Sequence, residues 1–337
     1  MTLGWIAVVA AGVWWLTTRL RAEVLPDWGG TSTESGAEVR KTNPYLIRSM
    51  RERSYDSQIE IERRVRETGG FVSYVVSFFS DGLEEYALMN VPNPSAGSGQ
   101  GMPDNGWPVV VVNHGYIEPE VYSVENSYIN TSAYFANAGF LVVKPDYRGH
   151  DKSEGEAGSL TSRINYAVDV MNLLAGVRKL DNADESRIYM YGHSMGGDVT
   201  LRVLEVCPNC VQAATLWAPA VRDFPESYMY FARRNADTPA RRERRERFQR
   251  ELAMLFTPQE YEQVSAFDNV NLVEAPVNIH HGTNDESVPY EWGQMVVGRF
   301  VENNKEHYFY SYPGDNHDIA GNWSTALNRD IELFQDN

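Results

Sequence analysis

Tyr191-Gly192-His193-Ser194-Met195-Gly196-Gly197 lies between an apolar run, residues 187–191, and a helix-compatible run, residues 195–206. A serine with glycine two positions before and two after it fits a sharp strand-to-helix turn. The strained backbone of such a turn brings neighbouring segments so close that side chains at the flanking positions would collide. The turn also sets Ser194 at a helix N-terminus, where free N–H groups and the helix dipole favour developing negative charge. The pattern therefore predicts a nucleophilic serine raised on the carboxyl end of a strand.

Working outward, short apolar runs alternate with longer helical stretches, which is the pattern of a parallel sheet with crossover helices. The strands are expected at 109–112, 140–143, 187–191, 213–217, 277–280 and 307–312. The helices are expected at 127–138, 162–179, 195–206, 291–302 and 325–334. Upstream, 59–61, 71–79 and 86–91 are rich in β-branched and aromatic residues with partial alternation, suggesting antiparallel strands at a sheet edge. Residues 221–264 break the rhythm as an insertion, a candidate lid with a charged helix at 241–256. On that helix Phe248, Leu252 and Phe256 form a narrow apolar stripe, while arginines interleave with Glu243 and Glu246. The arginine face reads first as a solvated surface laced with ion pairs and second as an anion site.

Serine needs a base, and the base needs a carboxylate to hold its tautomer. Asp285 follows the 277–280 strand and His317 follows the 307–312 strand, 91 and then 32 residues further on, in the order Ser, Asp, His. Glu286, Asp315 and Asp318 are rivals for the acid. An oxyanion hole requires two N–H donors: that of Met195, next to the nucleophile, and that of Tyr116, in the turn Asn113-His114-Gly115-Tyr116 after a strand. The Tyr116 ring is then an aromatic wall of the pocket. His193, His280 and His281 read as structural, since adjacent strand residues point to opposite faces and make poor metal geometry. Asp146 and Arg148 suggest a loop held by internal pairing.

The composition narrows the function classes. With 46 acidic against 30 basic residues, the formal charge of −16 disfavours nucleic-acid binding. Two cysteines, Cys207 and Cys210, build no disulfide framework and no four-ligand zinc site, leaving one local bridge possible. Hydrophobic residues at 42% supply a large core. Residues 3–16 are almost unbroken apolar sequence and lie between a signal-peptide core and a full spanning helix in length. Without a clean cleavage site, residues 1–21 are expected to act as a retained membrane anchor or signal-like segment and 22–45 as a tether. Residues 46–337 then form the catalytic domain. The domain is expected on the extracytoplasmic side of the membrane, although Arg19 and Arg21 behind the run argue for the cytoplasmic side.

At these residues the chain resembles the α/β-hydrolase superfamily, in its branch of prolyl-oligopeptidase-like hydrolases and related bacterial esterases. The elbow carries the likeness together with Asn113-His114-Gly115-Tyr116-Ile117, KPDYRGHDKSEG from Lys144, APVNIHHGTNDESVP from Ala275 and YPGDNHDI from Tyr312. The resemblance implies an α/β-hydrolase fold: a mostly parallel central sheet, helices on both faces and a helical lid insertion. It implies a Ser194–His317–Asp285 triad with no cofactor and no metal. Peptidases of the branch carry a large β-propeller, for which the roughly 60 residues between tether and first core strand leave no room. The expectation is therefore an esterase for small to medium acyl groups. A peptidase for short peptides is the alternative, and a catalytically silent binding module the third reading.

Overall fold

A computed structural model describes residues 42–94, 101–234 and 238–337. The expected anchor and all but the end of the expected tether lie outside these residues. Among the described residues no helix is long and apolar enough to cross a membrane.

The strands are β1 (Glu60–Glu67), β2 (Phe71–Ser80), β3 (Leu83–Pro92), β4 (Trp107–Asn113), β5 (Leu141–Pro145), β6 (Ala183–His193), β7 (Ala213–Trp217), β8 (Val277–Gly282) and β9 (His307–Tyr312). The helices are α1 (Ile47–Arg51), α2 (Ile129–Asn137), α3 (Ser162–Val177), α4 (Met195–Val206), α5 (Glu226–Arg233), α6 (Pro239–Leu255), α7 (Tyr261–Val264), α8 (Tyr290–Glu302) and α9 (Trp323–Asp336). One sheet runs in the order β1-β2-β3-β5-β4-β6-β7-β8-β9. From β5 to β9 all pairings are parallel, and β1 to β3 add an antiparallel edge. The β2–β3 hairpin closes on Asp81-Gly82, both at positive φ, as a two-residue turn matched to the strand twist requires.

Strand β4 shows why short apolar runs become the centre of the sheet. Val109 to Val112 are fully buried. Val109 and Val111 join a core with α3 and α4, whereas Val110 and Val112 join a second core with α2 and α9. Period-two alternation feeds both faces, so no polar position is tolerated in the run, and each buried valine contributes about 1.5–3 kcal/mol.

Between β7 and β8 the chain leaves the sheet for α5, α6 and α7. Helix α6 begins earlier than its charge pattern suggests, because Thr238 caps it through the N–H of Arg241 and Pro239 fits the first turn. The apolar stripe packs downward: Phe248 and Phe256 are buried, and Phe256 meets Phe224 and Tyr45. Tyr45 and Asn43, which bonds the carbonyl of Leu255, thus join the folded body. Helix α5 is missed by the sequence reading because it has no polar cap; it is held by burial of Tyr228, Met229 and Ala232.

Cys207 and Cys210 form a disulfide just past α4, the local bridge left open above. Arg148 and Asp146 do not pair with each other. Arg148 reaches Asp169 on α3 and Asp81 in the hairpin turn, while Asp146 accepts from the Tyr122 hydroxyl at 2.8 Å. Arg148 thus ties the loop outward to other elements, correcting the expected pairing of Asp146 with Arg148, while the ion pair of Asp146 is a local one with Lys144 at 4.0 Å.

Candidate active site

Strand β6 ends at His193, and Ser194 follows with φ 55° and ψ −115° before α4 begins. This conformation is strained for a residue with a Cβ and persists only where its surroundings impose it. The N–H of Ser194 donates to the carbonyl of Trp217, and its carbonyl accepts from Gly197 and Ala220. The flanking glycines are required by contact. A Cβ on Gly196 would lie 2.0 Å from the carbonyl oxygen of Asn113, and one on Gly192 would lie 2.3 Å from Thr200 Oγ1.

The loop after β4 comes equally close. A Cβ on Gly115 would lie 3.2 Å from Ser194 Cβ and 2.7 Å from the Tyr128 hydroxyl, so glycine allows this loop to pass beside the nucleophile. Tyr116, next in the chain, lines a cavity of about 750 Å³ together with Ser194 and Met195. Among the described residues, no protein acceptor takes the backbone N–H of Tyr116 or of Met195. The expected oxyanion donors and the serine therefore border the same cleft. The site lies at the carboxyl ends of β4 and β6, where the chain order reverses across the sheet and open α/β sheets form their crevices.

Asp285 sits in the turn after β8, and its carboxylate is wholly buried. Its Oδ1 accepts the N–H groups of Ser287 (2.7 Å) and Val288 (2.8 Å). Its Oδ2 accepts His317 Nδ1 at 2.8 Å and His281 Nε2 at 3.0 Å. Burial by itself pushes this carboxyl up, but the hydrogen bonds from His281 and His317 outweigh it and hold Asp285 well below the carboxylate range. Of the four acids weighed from sequence, Asp285 is the one whose carboxylate meets the His317 ring. Glu286 reaches only the His317 backbone, Asp315 holds Gly321 and Asn322, and Asp318 lies 3.8 Å from His193. With Nδ1 occupied by an anion, the other nitrogen of His317 is the one left to act as base. Neither that nitrogen nor Ser194 Oγ has a hydrogen-bond partner among the described residues.

His281 was read from sequence as structural, yet it shares the Asp285 carboxylate with His317. Its Nε2 also contacts the Val288 carbonyl at 3.2 Å, which can only accept, so Nε2 carries the proton. Its position, directly before the turn that carries Asp285 and four residues upstream of it, was the available signal. The neighbouring His280 points to the opposite face, as adjacent strand residues must. It bonds Asp330 at 2.8 Å, which also holds the Trp217 indole. His193 lies under the elbow, with one nitrogen on the Tyr128 hydroxyl and the other on the His317 carbonyl at 3.1 Å. Burial first, and the His317 ring second, push His193 down to about 3, so it stays neutral. Among the described residues no cluster of His, Cys, Asp and Glu could hold a metal ion.

Sheet order, elbow and strand-end acid and histidine are those of one known fold. The chain has the α/β-hydrolase fold. The family described as "Serine aminopeptidase, S33" matches the chain over residues 107–242. The chain is 27% identical over 187 residues to the "Uncharacterized peptidase YtmA" of Bacillus subtilis (strain 168), covering 52% of this chain and 65% of that protein, just under two thirds. Among solved structures it is similar to acetyl xylan esterase 1 from Thermoanaerobacterium sp. JW/SL YS485, with TM-score 0.62 and 18% identity over 86% of this chain and 92% of that one. It is also similar to dipeptidyl peptidase 4 from Porphyromonas gingivalis, with TM-score 0.59 and 22% identity over 80% of this chain and 36% of that one. At these identities the two structures speak for the fold.

Proposed function

We propose that the chain is a serine hydrolase that cleaves carboxylic esters of small to medium acyl groups. The observation that carries this reading is Ser194 held at positive φ beside a cleft, with His317 bonded to a buried Asp285 carboxylate. His317 takes the proton of Ser194 Oγ as that oxygen attacks the ester carbonyl, and the N–H groups of Tyr116 and Met195 receive the oxyanion. The tetrahedral species collapses to an acyl-serine as His317 passes the proton to the departing alcohol. Water, deprotonated by His317, then releases the acid and restores Ser194. Asp285 stays ionised throughout and stabilises the imidazolium.

A peptidase is the second reading, favoured by the serine aminopeptidase match and by the likeness to dipeptidyl peptidase 4. The esterase is preferred because the acetyl xylan esterase is spanned over nearly its whole length, whereas the peptidase is spanned over about a third. The test is initial rates of the full chain on 4-nitrophenyl esters of graded acyl length beside aminoacyl 4-nitroanilides, with Ser194→Ala as control. The expected result is serine-dependent turnover of short and medium esters with little amide cleavage. Dominant amide cleavage would make the chain a peptidase. Silence on both series, without fluorophosphonate labelling of Ser194, would leave a binding module.

A further inference from the structure

The cleft over Ser194 is electrically unlike the rest of the protein. Five arginines and three glutamates line it, in a chain whose formal charge is −16. Part of this is the solvated helix face read from sequence: Arg247 lies 3.8 Å from Glu251, and Arg250 lies 3.9 Å from Glu246, along α6. Arg163 and Arg244 are different. They come from separate elements, α3 and α6, both are half-buried, and neither meets a carboxylate among the described residues.

Both are anchored close to the reacting groups. Arg163 lies over the rings of Tyr228 (4.6 Å) and Phe231 (5.3 Å), and its Nη1 donates to the carbonyl of Ala220 at 3.3 Å. The N–H of Ala220 in turn holds the carbonyl of Ser194, so one residue separates Arg163 from the nucleophile. Arg244 lies 5.6 Å from the centre of the ring of Tyr116, the residue whose N–H is an expected oxyanion donor. A guanidinium held on aromatic faces has already lost much of its side-chain freedom and still presents a planar fork of donors, the geometry that binds a carboxylate through two parallel hydrogen bonds.

We propose that Arg163 and Arg244 make this cleft selective for substrates that carry a carboxylate besides the bond to be cleaved. This rests on the serine-hydrolase reading and adds a substrate class to it. A protein of this net charge repels small anions over most of its surface, and two arginines without a carboxylate partner oppose that locally.

Matched pairs of esters test the proposal on the full chain. One pair carries the charge on the acyl side: the 4-nitrophenyl monoester of adipic acid and 4-nitrophenyl methyl adipate, long enough to keep the carboxylate from its own ester. The other carries it on the alcohol side: 4-(butyryloxy)phenylacetate and its methyl ester. The reading is the ratio of serine-dependent kcat/KM, acid over neutral, within each pair. In the unmodified protein at least one pair should favour the acid about tenfold, as expected for a charge-assisted contact in a partly desolvated cleft. The ratio should shrink as salt is raised to about 0.5 M. Arg163→Gln combined with Arg244→Gln should bring it toward one. Because each ratio is internal to one protein, a general loss of activity does not imitate this result, and fluorophosphonate labelling counts the intact sites. Ratios at or below one in both pairs would overturn the proposal, as would a preference that survives the double substitution. Failure of all four esters, acid and neutral, to show any serine-dependent turnover would instead sink the hydrolase reading on which it stands.

Discussion

The floor and the roof of the cleft are built on opposite principles. The floor, formed by the ends of β4, β6 and β8, is held by close backbone approach and saturated hydrogen bonds: Gly115, Gly192 and Gly196 each sit where a Cβ would strike a neighbour, and each carboxylate oxygen of Asp285 accepts two hydrogen bonds. The roof, α5 and α6, is held by a few buried aromatics and presents long charged side chains to the cleft. Chemistry that needs atoms placed within fractions of an ångström is built on the part that cannot move. Selectivity, which needs only charge and volume in the right region, can be written on side chains whose replacement costs the fold little.

Substitutions should separate the two. The largest effect is expected for Asp285→Asn, which leaves the His317 tautomer unsupported and should lower kcat roughly a thousand- to ten-thousand-fold while the protein remains folded. His281→Phe removes only one of the donors to Asp285, and a drop of about tenfold is expected. If it matched Asp285→Asn, His281 would belong to the reacting groups themselves and not to their support.

Gly196→Ala tests the floor as architecture. The added carbon meets the Asn113 backbone, which cannot rotate away, and a loss of about 2–4 kcal/mol in denaturant unfolding is expected along with activity. A stable and active Gly196→Ala protein would mean that the elbow is less tightly packed than these contacts imply.

His193 gives the floor a pH signature. Its folded value is pushed down to about 3 against an ordinary 6.5, so between those limits the unfolded chain binds the extra proton and stability falls as pH falls. At about pH 4.5 this amounts to about 2–3 kcal/mol relative to neutral pH. His193→Gln should remove that share of the decline, as read from unfolding curves of both proteins at pH 7 and 4.5. Parallel pH slopes would show that His193 is protonated in the native state.

The roof should be forgiving. Glu246→Gln breaks an exposed pair with Arg250, and both side chains are about two-thirds exposed. A change within about 0.5 kcal/mol is expected in the same unfolding assay. A larger loss would mean that the outer charges of α6 work as a network.

Legibility in the sequence followed the same division. Strands β7 and β9 and helix α4 lie where periodicity and turn signals put them, because apolar runs in a parallel sheet leave little choice of register. Helix α5 was not legible, since Tyr228, Met229 and Ala232 form a helix only when a core exists to receive them. The partners of Arg148 lie 67 and 21 residues away, and local charge pattern pointed to the wrong ones.

What the sequence by itself determined is the sheet architecture and the serine and histidine expected to react, because glycine spacing, apolar runs and strand-end positions are local constraints with few structural solutions. Only the tertiary structure decided which acid meets His317, that His281 shares that carboxylate, and that Arg163 and Arg244 border one cleft. Those are meetings between segments far apart in the chain, and they are set by packing, to which local patterns carry no key.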